Sequence, residues 1–200
     1  MPAGGEPCVA IQRIAAELRA SRGEDALYVF LRIHHCICLK AASSPAEPIR
    51  HLNEHFEQFC VRRIENVRQA RVLIGDLSDR WKRALEAYLK DASDFAGVLP
   101  RLAIAHIADD LPDALLKSQE AGVNVTRAMF NAVLDDILNC VDEAYSRPPL
   151  SLSLKAAFLQ KLGEFSGAER FVLSELRAFA WGRAEERARL RERLRQLRPR

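Results

Sequence analysis

The sequence predicts an all-α protein, a single-domain bundle of about eight helices around a buried central helix at about residues 98–121. Apolar residues recur with the 3.6-residue period of a helix, and no stretch keeps the alternation of a β-strand. The composition is that of a globular domain, with 48% hydrophobic residues and only nine Gly and nine Pro in 200 residues. We therefore expect a helical domain over residues 1–182 and a basic C-terminal helical extension over residues 183–200.

The central helix is predicted from an apolar run around one histidine. In residues 102–107 every position except His106 is apolar, and a helix that is apolar on all sides is a buried one. His106 and Asp110 are four positions apart, which places them on one helical face. Because buried ionisable groups need partners, this pair marks a candidate site. Pro112 lacks an N–H, so we expect a kink or restart there, beside Asp109 and Asp110.

Two helices are predicted before the first proline-containing break, at about residues 6–20 and 24–41. Their inward residues are Val9, Ile14 and Leu18 in the first, and Leu27, Phe30, Ile37 and Cys38 in the second. His34 lies in the middle of the apolar face of the second helix, whereas His35 points about 100° away from it. His34 is therefore a candidate to face His106 across the core.

A long third helix is predicted at about residues 46–74 and a fourth at about 78–90. Their inward residues are Ile49, Leu52, Phe56, Phe59, Ile64 and Val67 in the third, and Trp81, Leu85, Tyr88 and Leu89 in the fourth. Asn53 lies on the edge of the third helix's apolar stripe, facing the candidate site. His51 and His55 have half the spacing of an HExxH zinc motif but not its residue order, so a solvated pair is the preferred interpretation.

Three helices are predicted after the central one, at about residues 124–145, 150–165 and 168–197. The first has an apolar face made of Phe130, Val133, Leu134, Ile137, Leu138 and Val141. Arg177 lies on the inner side of the last helix, where it could be a counter-ion for Asp109 or Asp110.

The net charge of +3 comes from the end of the chain. Residues 183–200 contain eight arginines and three glutamates, a balance of +5, so the remaining residues carry −2. A near-neutral body argues against nucleic-acid binding across the fold. Leu190, Leu194 and Leu197 form a helical stripe, so the basic extension could bind a partner or a second copy of the chain.

The cysteines and the start of the chain predict a cytoplasmic protein. The five cysteines are an odd number without a CxxC pair, and residues 1–7 lack the basic and apolar parts of a secretory signal. The longest apolar run, residues 26–39, is too short and too polar to span a bilayer. We expect five reduced, mostly buried thiols.

The run Ala105-His-Ile-Ala-Asp-Asp-Leu-Pro-Asp-Ala-Leu115 is followed by Phe130-Asn-Ala-Val-Leu-Asp135 and by Leu176-Arg-Ala-Phe-Ala-Trp181. These segments resemble the signature of an uncharacterised, mainly bacterial helical family called domain of unknown function 5995. The resemblance covers about residues 20–185 and implies an all-helical fold, but no activity. The family pattern matches His106, Asp110, Arg177 and Trp181; it has an acid in place of Asn53 and usually Asn in place of Ala108.

The leading functional hypothesis is a small-molecule-binding protein with a polar pocket around His106, Asp110, His34 and Asn53. Further ligand-binding candidates are Asp109, Arg177 and Trp181. His106 and Asp110 would be a catalytic acid–base pair, in which Asp110 holds the imidazole tautomer and raises the pKa of His106. Such an enzyme needs no cofactor, and bacterial specialised metabolism is the suggested setting.

Two alternatives stay open. The His-x3-Asp spacing is similar to that of zinc-dependent phospholipase C and P1-type nucleases, which implies a metal-dependent hydrolase with a divalent metal on His106, Asp110 and His34. Those enzymes need more His and Asp ligands than this chain supplies. The other alternative is a non-catalytic interaction or structural module. No Gly-rich phosphate loop, Gly-x-Ser-x-Gly elbow or Cys-based zinc motif is present, which argues against ATPases, α/β-hydrolases and zinc fingers.

Overall fold

Helices make up all the regular structure in the part of the chain that the structure, a computed structural model, describes: residues 8–68, 77–146, 150, 178 and 181–189. The helices are α1 (Val9–Arg22), α2 (Ala26–Ala42), α3 (Glu47–Arg68), α4 (Asp79–Lys90), α5 (Phe95–Ala105), α6 (Leu111–Glu120), α7 (Arg127–Ala132) and α8 (Leu134–Tyr145). Residues 181–189 are also helical and are called the C-terminal segment below. The predicted all-α, single-domain fold is confirmed.

Side chains at the helix starts explain where several helices begin. Asp25, Ser78 and Asp94 each accept the backbone N–H of the residue three positions later, which caps α2, α4 and α5. Such caps satisfy N–H groups that a helix start leaves unpaired. Glu57 of α3 lies near the start of α1, where hydrogen bonding to the backbone of Cys8 and Ile11 opposes the rise in its pKa that burial causes.

The predicted central helix is present as α5, a π turn at His106–Asp110, and α6. The backbone N–H of Leu111 donates to the carbonyl of His106, which is the five-residue spacing of a π turn. The break expected at Pro112 therefore lies one turn before the proline, as a widened turn. The central run packs against α2, α3 and α4. It is mostly buried, but Ile107 is only half-buried, so one edge of it reaches the surface.

Two apolar clusters form the core, and the central run belongs to both. The first cluster includes Trp81 of α4 and Leu102 of α5, together with residues of α1, α2, α3 and α8. The second cluster includes Leu111 and Leu115 of α6, with residues of α2, α3 and the C-terminal segment. The π turn joins these clusters, and this is why its polar residues are buried.

Three sequence predictions about helix faces and lengths are wrong. Val9 and Leu89, expected to face inward, are 46% and 60% exposed, because neither lies on the buried stripe of its helix. The helix expected over residues 124–145 is interrupted at Val133, whose ψ of 1° separates α7 from α8. Within the described residues the remaining helices agree with the predicted ranges to within a few positions.

A disulfide joins Cys36 of α2 to Cys140 of α8, with a Cα–Cα distance of 5.8 Å. The prediction of five reduced thiols is therefore wrong for these two cysteines. It holds for Cys8, Cys38 and Cys60, which are free and buried. Since the two bridged cysteines are 104 positions apart in sequence, no local spacing could have shown that they pair.

The helix predicted at residues 150–165 and most of the one at 168–197 lie outside the described residues, as does Arg177. The proposed boundary between residues 182 and 183 falls inside the C-terminal segment, and the division into domain and extension stays a prediction. Among the helices that are described, none has both the length and the apolar character needed to cross a membrane.

Candidate functional site

The π turn brings His106 and Asp110 into direct contact. The His106 Nδ1 atom lies 2.8 Å from Asp110 Oδ2, and both residues are buried. This is the contact that their four-residue spacing predicts. Burial raises the pKa of Asp110 to about 7, although Arg63 and Trp81 act in the opposite direction.

Asp110 is held on its other oxygen by two further groups. Arg63 of α3 forms an ion pair with Oδ1 through Nε, and the indole N–H of Trp81 donates to the same oxygen at 3.2 Å. Above pH 7 the carboxylate accepts from both, and it accepts the Nδ1–H of His106 on Oδ2. This arrangement fixes the His106 tautomer in which Nε2 carries the lone pair.

The rest of the His106 ring is enclosed by aromatic side chains. The Phe56 ring stacks on it with centroids 3.8 Å apart, and Phe30 lies edge-on at 5.7 Å. Burial, with the positive charge of Arg63, lowers the pKa of His106 to about 3. The shift is opposite to the expected rise, because burial and the Arg63 charge both lower this pKa. His106 is a neutral imidazole near neutral pH.

His34 faces His106, as its place on the second helix predicts. The two rings are edge-on with centroids 4.4 Å apart. Burial, followed by the neighbouring His106 and His35, lowers the pKa of His34 well below its ordinary value. Its Nε2 atom lies 3.8 Å from the Sγ of Cys38, one turn along α2.

A buried thiol completes a three-residue cluster with the two histidines. Ligand atoms of His34, Cys60 and His106 all lie within 4.8 Å of one another, and all three residues are buried. The Nε2 atom of His106 has no hydrogen-bond partner there. Burial raises the pKa of the Cys60 thiol well above its ordinary value. Imidazole and thiolate are the donors that zinc and copper prefer in proteins.

A second group of donors adjoins this cluster. Cys8, Cys38 and Glu57 also place ligand atoms within 4.8 Å of one another. Cys8 adopts a left-handed backbone with φ of 68°, unusual for a residue other than glycine. Burial raises the pKa of Glu57, although hydrogen bonding to the backbone of Ile11 and Cys8 acts in the opposite direction.

Asp109, a predicted ligand-binding residue, is engaged in contacts within the protein. It accepts from Ser78 Oγ at 2.6 Å and from Arg80 at 3.1 Å, and Arg183 lies 3.8 Å away. These contacts connect the π turn to α4 and to the C-terminal segment. In the same region Arg187 forms an ion pair with Asp113.

Asn53 and Trp181, two other predicted ligand-binding residues, each contact neighbouring groups in the described part of the chain. Asn53 is buried, lies 3.5 Å from the carbonyl of Cys38 and lines a cavity of about 50 Å³. Phe56 lines the same cavity, and its ring stacks on His106. The indole N–H of Trp181 donates to Glu185 at 2.9 Å, and Trp181 packs against the second apolar cluster.

Cys60 and Arg63 are the site residues that sequence reasoning missed. Cys60 follows Phe56 by one turn and precedes Ile64 by one turn, so it continues the apolar stripe of α3. That position was a usable signal for a buried thiol facing the core. Arg63 carried no such signal, because the partner that explains its burial lies 47 positions away in the sequence.

The histidine pair on α3 differs from its predicted environment. His51 and His55 are half-buried, with rings edge-on and centroids 4.7 Å apart. Burial is the main cause that lowers the pKa of His55. The interpretation as a solvated pair is therefore wrong, although neither residue belongs to the His34–Cys60–His106 cluster.

No family model, curated protein or solved structure matches this chain. The resemblance to domain of unknown function 5995 stays a prediction.

Proposed function

We propose that this protein binds a transition-metal ion at a buried centre formed by His34, Cys60 and His106. The observation that carries the proposal is the convergence of His34, Cys60 and His106, each of which places one ligand atom within 4.8 Å of the others. In addition, the Nε2 atom of His106 is buried without a hydrogen-bond partner. A buried polar atom without a partner is costly. Coordination of a metal ion would satisfy it.

Zinc is the ion that the donor set fits best. Zinc in proteins takes imidazole and thiolate ligands in tetrahedral geometry. The Cys38 thiol lies 3.8 Å from His34 Nε2 but belongs to the neighbouring donor group, so its sulfur would have to move toward the centre to act as a fourth donor. Two imidazoles and two thiolates form a typical zinc set.

In this proposal Asp110 orients a ligand and is not itself one. Both of its oxygens are already engaged, one with His106 and the other with Arg63 and Trp81. A carboxylate that holds the far nitrogen of a ligating histidine is a common outer-shell partner in metal sites. The metal-dependent hydrolase hypothesis, which used Asp110 as a ligand, is revised accordingly.

The proposed role of the ion is to hold three elements together. His34 lies on α2, Cys60 on α3 and His106 on the π turn. A bound ion would cross-link these elements within the core, so metal-free and metal-bound protein would differ in stability. We retain the cytoplasm as the proposed compartment, in which the Cys36–Cys140 disulfide would be a redox-active bond and not a structural one.

Acid–base catalysis on a small molecule has less support. A pKa of about 3 leaves His106 unprotonated near neutral pH, so it cannot act as a general acid there. The cavity beside Asn53 has a volume of about 50 Å³, far below the roughly 300–1,000 Å³ of ordinary ligand pockets. It has room for a few water molecules.

The test is a titration of metal-free, full-length protein with Co²⁺, which reports thiolate ligation through charge-transfer absorption. We expect one equivalent to bind with a thiolate band and to be displaced by Zn²⁺. Cys60→Ser should weaken the band, and Cys38→Ser combined with Cys60→Ser should remove it. Asp110→Asn should keep the band but weaken binding by about 10–100-fold, as is typical when an outer-shell partner is lost.

His55→Gln is the matched control, because His55 lies on the same helix as Cys60 but outside the cluster. It should leave Co²⁺ binding unchanged, and circular dichroism should show that each variant is folded. Absence of a thiolate band in the wild-type protein would overturn the proposal. So would loss of binding in His55→Gln with retention in a folded Cys60→Ser.

A further inference from the structure

The disulfide between α2 and α8 lines a groove that is separate from the metal-binding cluster. The groove encloses about 350 Å³, which lies within the roughly 300–1,000 Å³ of small-molecule sites. Both Cys36 and Cys140 line it. A molecule bound in this groove would therefore lie against a sulfur–sulfur bond.

The two bridged cysteines differ in solvent exposure. Cys140 is 2% exposed, whereas Cys36 is half-buried. Arg32, Cys36 and Lys40 are spaced four positions apart on α2, so they follow one another along one helical face. A molecule in the groove therefore reaches Cys36 first, between two cationic side chains.

The charges around the groove favour an anion. Arg32 and Lys40 are positive, and Glu143 of α8 is the one acidic residue in the lining. Leu39 also lines the groove and is 44% exposed, which offers apolar surface to an aliphatic stem. The combination fits a small molecule that carries carboxylates, a short aliphatic part and a sulfur atom.

We propose that the groove binds small anionic thiols, such as a short cysteine-containing peptide with free carboxylates, and that they exchange with the Cys36–Cys140 disulfide. The ligand thiolate attacks Cys36 Sγ, and a ligand–Cys36 disulfide forms as the Cys36–Cys140 bond breaks. The electron pair leaves on the Cys140 sulfur, which takes a proton from solvent. A second ligand thiolate then attacks the ligand sulfur of the mixed disulfide, a ligand–ligand disulfide forms as the bond to Cys36 breaks, and Cys36 leaves as the thiolate and takes a proton from solvent. Two ligand thiols are thus oxidised for each protein disulfide reduced.

The experiment compares two thiol probes on the oxidised, full-length protein. Reduced glutathione carries a net negative charge and cysteamine a positive one. Each rate is measured by alkylation quench and intact mass, and is divided by the rate with a small exposed reference disulfide. At low salt we expect the corrected rate with glutathione to exceed that with cysteamine by about threefold or more. Peptide mapping should place the adduct on Cys36.

Two sets of variants complete the test. Arg32→Gln with Lys40→Gln should abolish the preference for glutathione, while Lys90→Gln, an exposed lysine at the end of α4, should leave it unchanged. Cys140→Ser should form a stable mixed disulfide with oxidised glutathione at Cys36. Equal corrected rates for the two probes, an adduct on Cys8, Cys38 or Cys60, or five free thiols in air-oxidised protein would each overturn the proposal.

Discussion

His34 and His106 show how burial decides the chemistry of a side chain. Both histidines were identified from their place on apolar helix faces, and both are neutral because desolvation lowers their pKa values. A neutral imidazole offers a lone pair, which suits a metal ion better than proton transfer. The sequence located these residues, but the direction of the pKa shift depends on how completely the surrounding helices exclude water.

The buried His34 makes the stability of metal-free protein depend on pH. Its pKa in the folded state lies well below the unfolded value of 6.5. The contribution of neutral, buried His34 to the free energy of unfolding is therefore present above pH 6.5. It is lost as the pH falls below 6.5, because the unfolded chain then binds a proton that the folded one does not. As the pH is lowered, we expect the unfolding free energy of the wild-type protein to fall more steeply than that of His34→Gln. The two slopes should differ by up to about 1.4 kcal/mol per pH unit. Urea titrations in chelator from about pH 7 to pH 5 measure both slopes, and parallel slopes would contradict the prediction.

At the scale of elements, apolar periodicity predicted most of the helices, because each helix buries a stripe that is visible in its own sequence. The π turn, the interruption at Val133 and the Cys36–Cys140 disulfide were not predicted. Each of these features depends on contacts with residues of other helices, which the periodicity of one segment does not show. The same is true of the candidate site, where the His106–Asp110 contact is local and Cys60 comes from a different helix.

The start of α5 gives a test of local structure. A Cβ atom on Gly97 would lie 2.0 Å from the Oδ2 atom of Asp94, the residue that caps this helix. Gly97→Ala should therefore displace the cap and destabilise the protein by about 1 kcal/mol or more.

Gly182→Ala is the matched control, because Gly182 lies in the C-terminal segment with nothing within 4 Å of an added Cβ. There the substitution should stabilise the helix by roughly 0.5–1 kcal/mol. Thermal unfolding of both variants tests whether Gly97→Ala lowers the stability and Gly182→Ala raises it. A Gly97→Ala variant as stable as Gly182→Ala would show that the Asp94 cap contributes nothing.

At the scale of the whole molecule, the C-terminal segment contacts the central run through two ion pairs. Arg183 lies 3.8 Å from Asp109, and Arg187 pairs with Asp113. Both acids flank the end of the π turn, so these arginines neutralise charge beside the candidate metal centre. These contacts predict a structural role for the C-terminal segment within one chain.

The double variant Arg183→Gln with Arg187→Gln tests that role. Both arginines are partly exposed, so solvent screening limits each pair, and we expect a total loss of about 1 kcal/mol or less. The loss should shrink at high salt. Chemical unfolding at low and high salt measures it, and sedimentation should show an unchanged oligomeric state. A change of oligomeric state would instead favour the partner-binding interpretation of the extension.

The disulfide described above also changes the topology of the polypeptide. Oxidation turns residues 36–140 into a covalent ring with two linear tails, and the ring contains Cys60 and His106 while His34 sits two residues outside it. Ring closure restricts the unfolded chain far more than the folded one. It also means that a single cut between α3 and α8 opens the ring without separating the two pieces, so a nicked, oxidised molecule remains one covalent body.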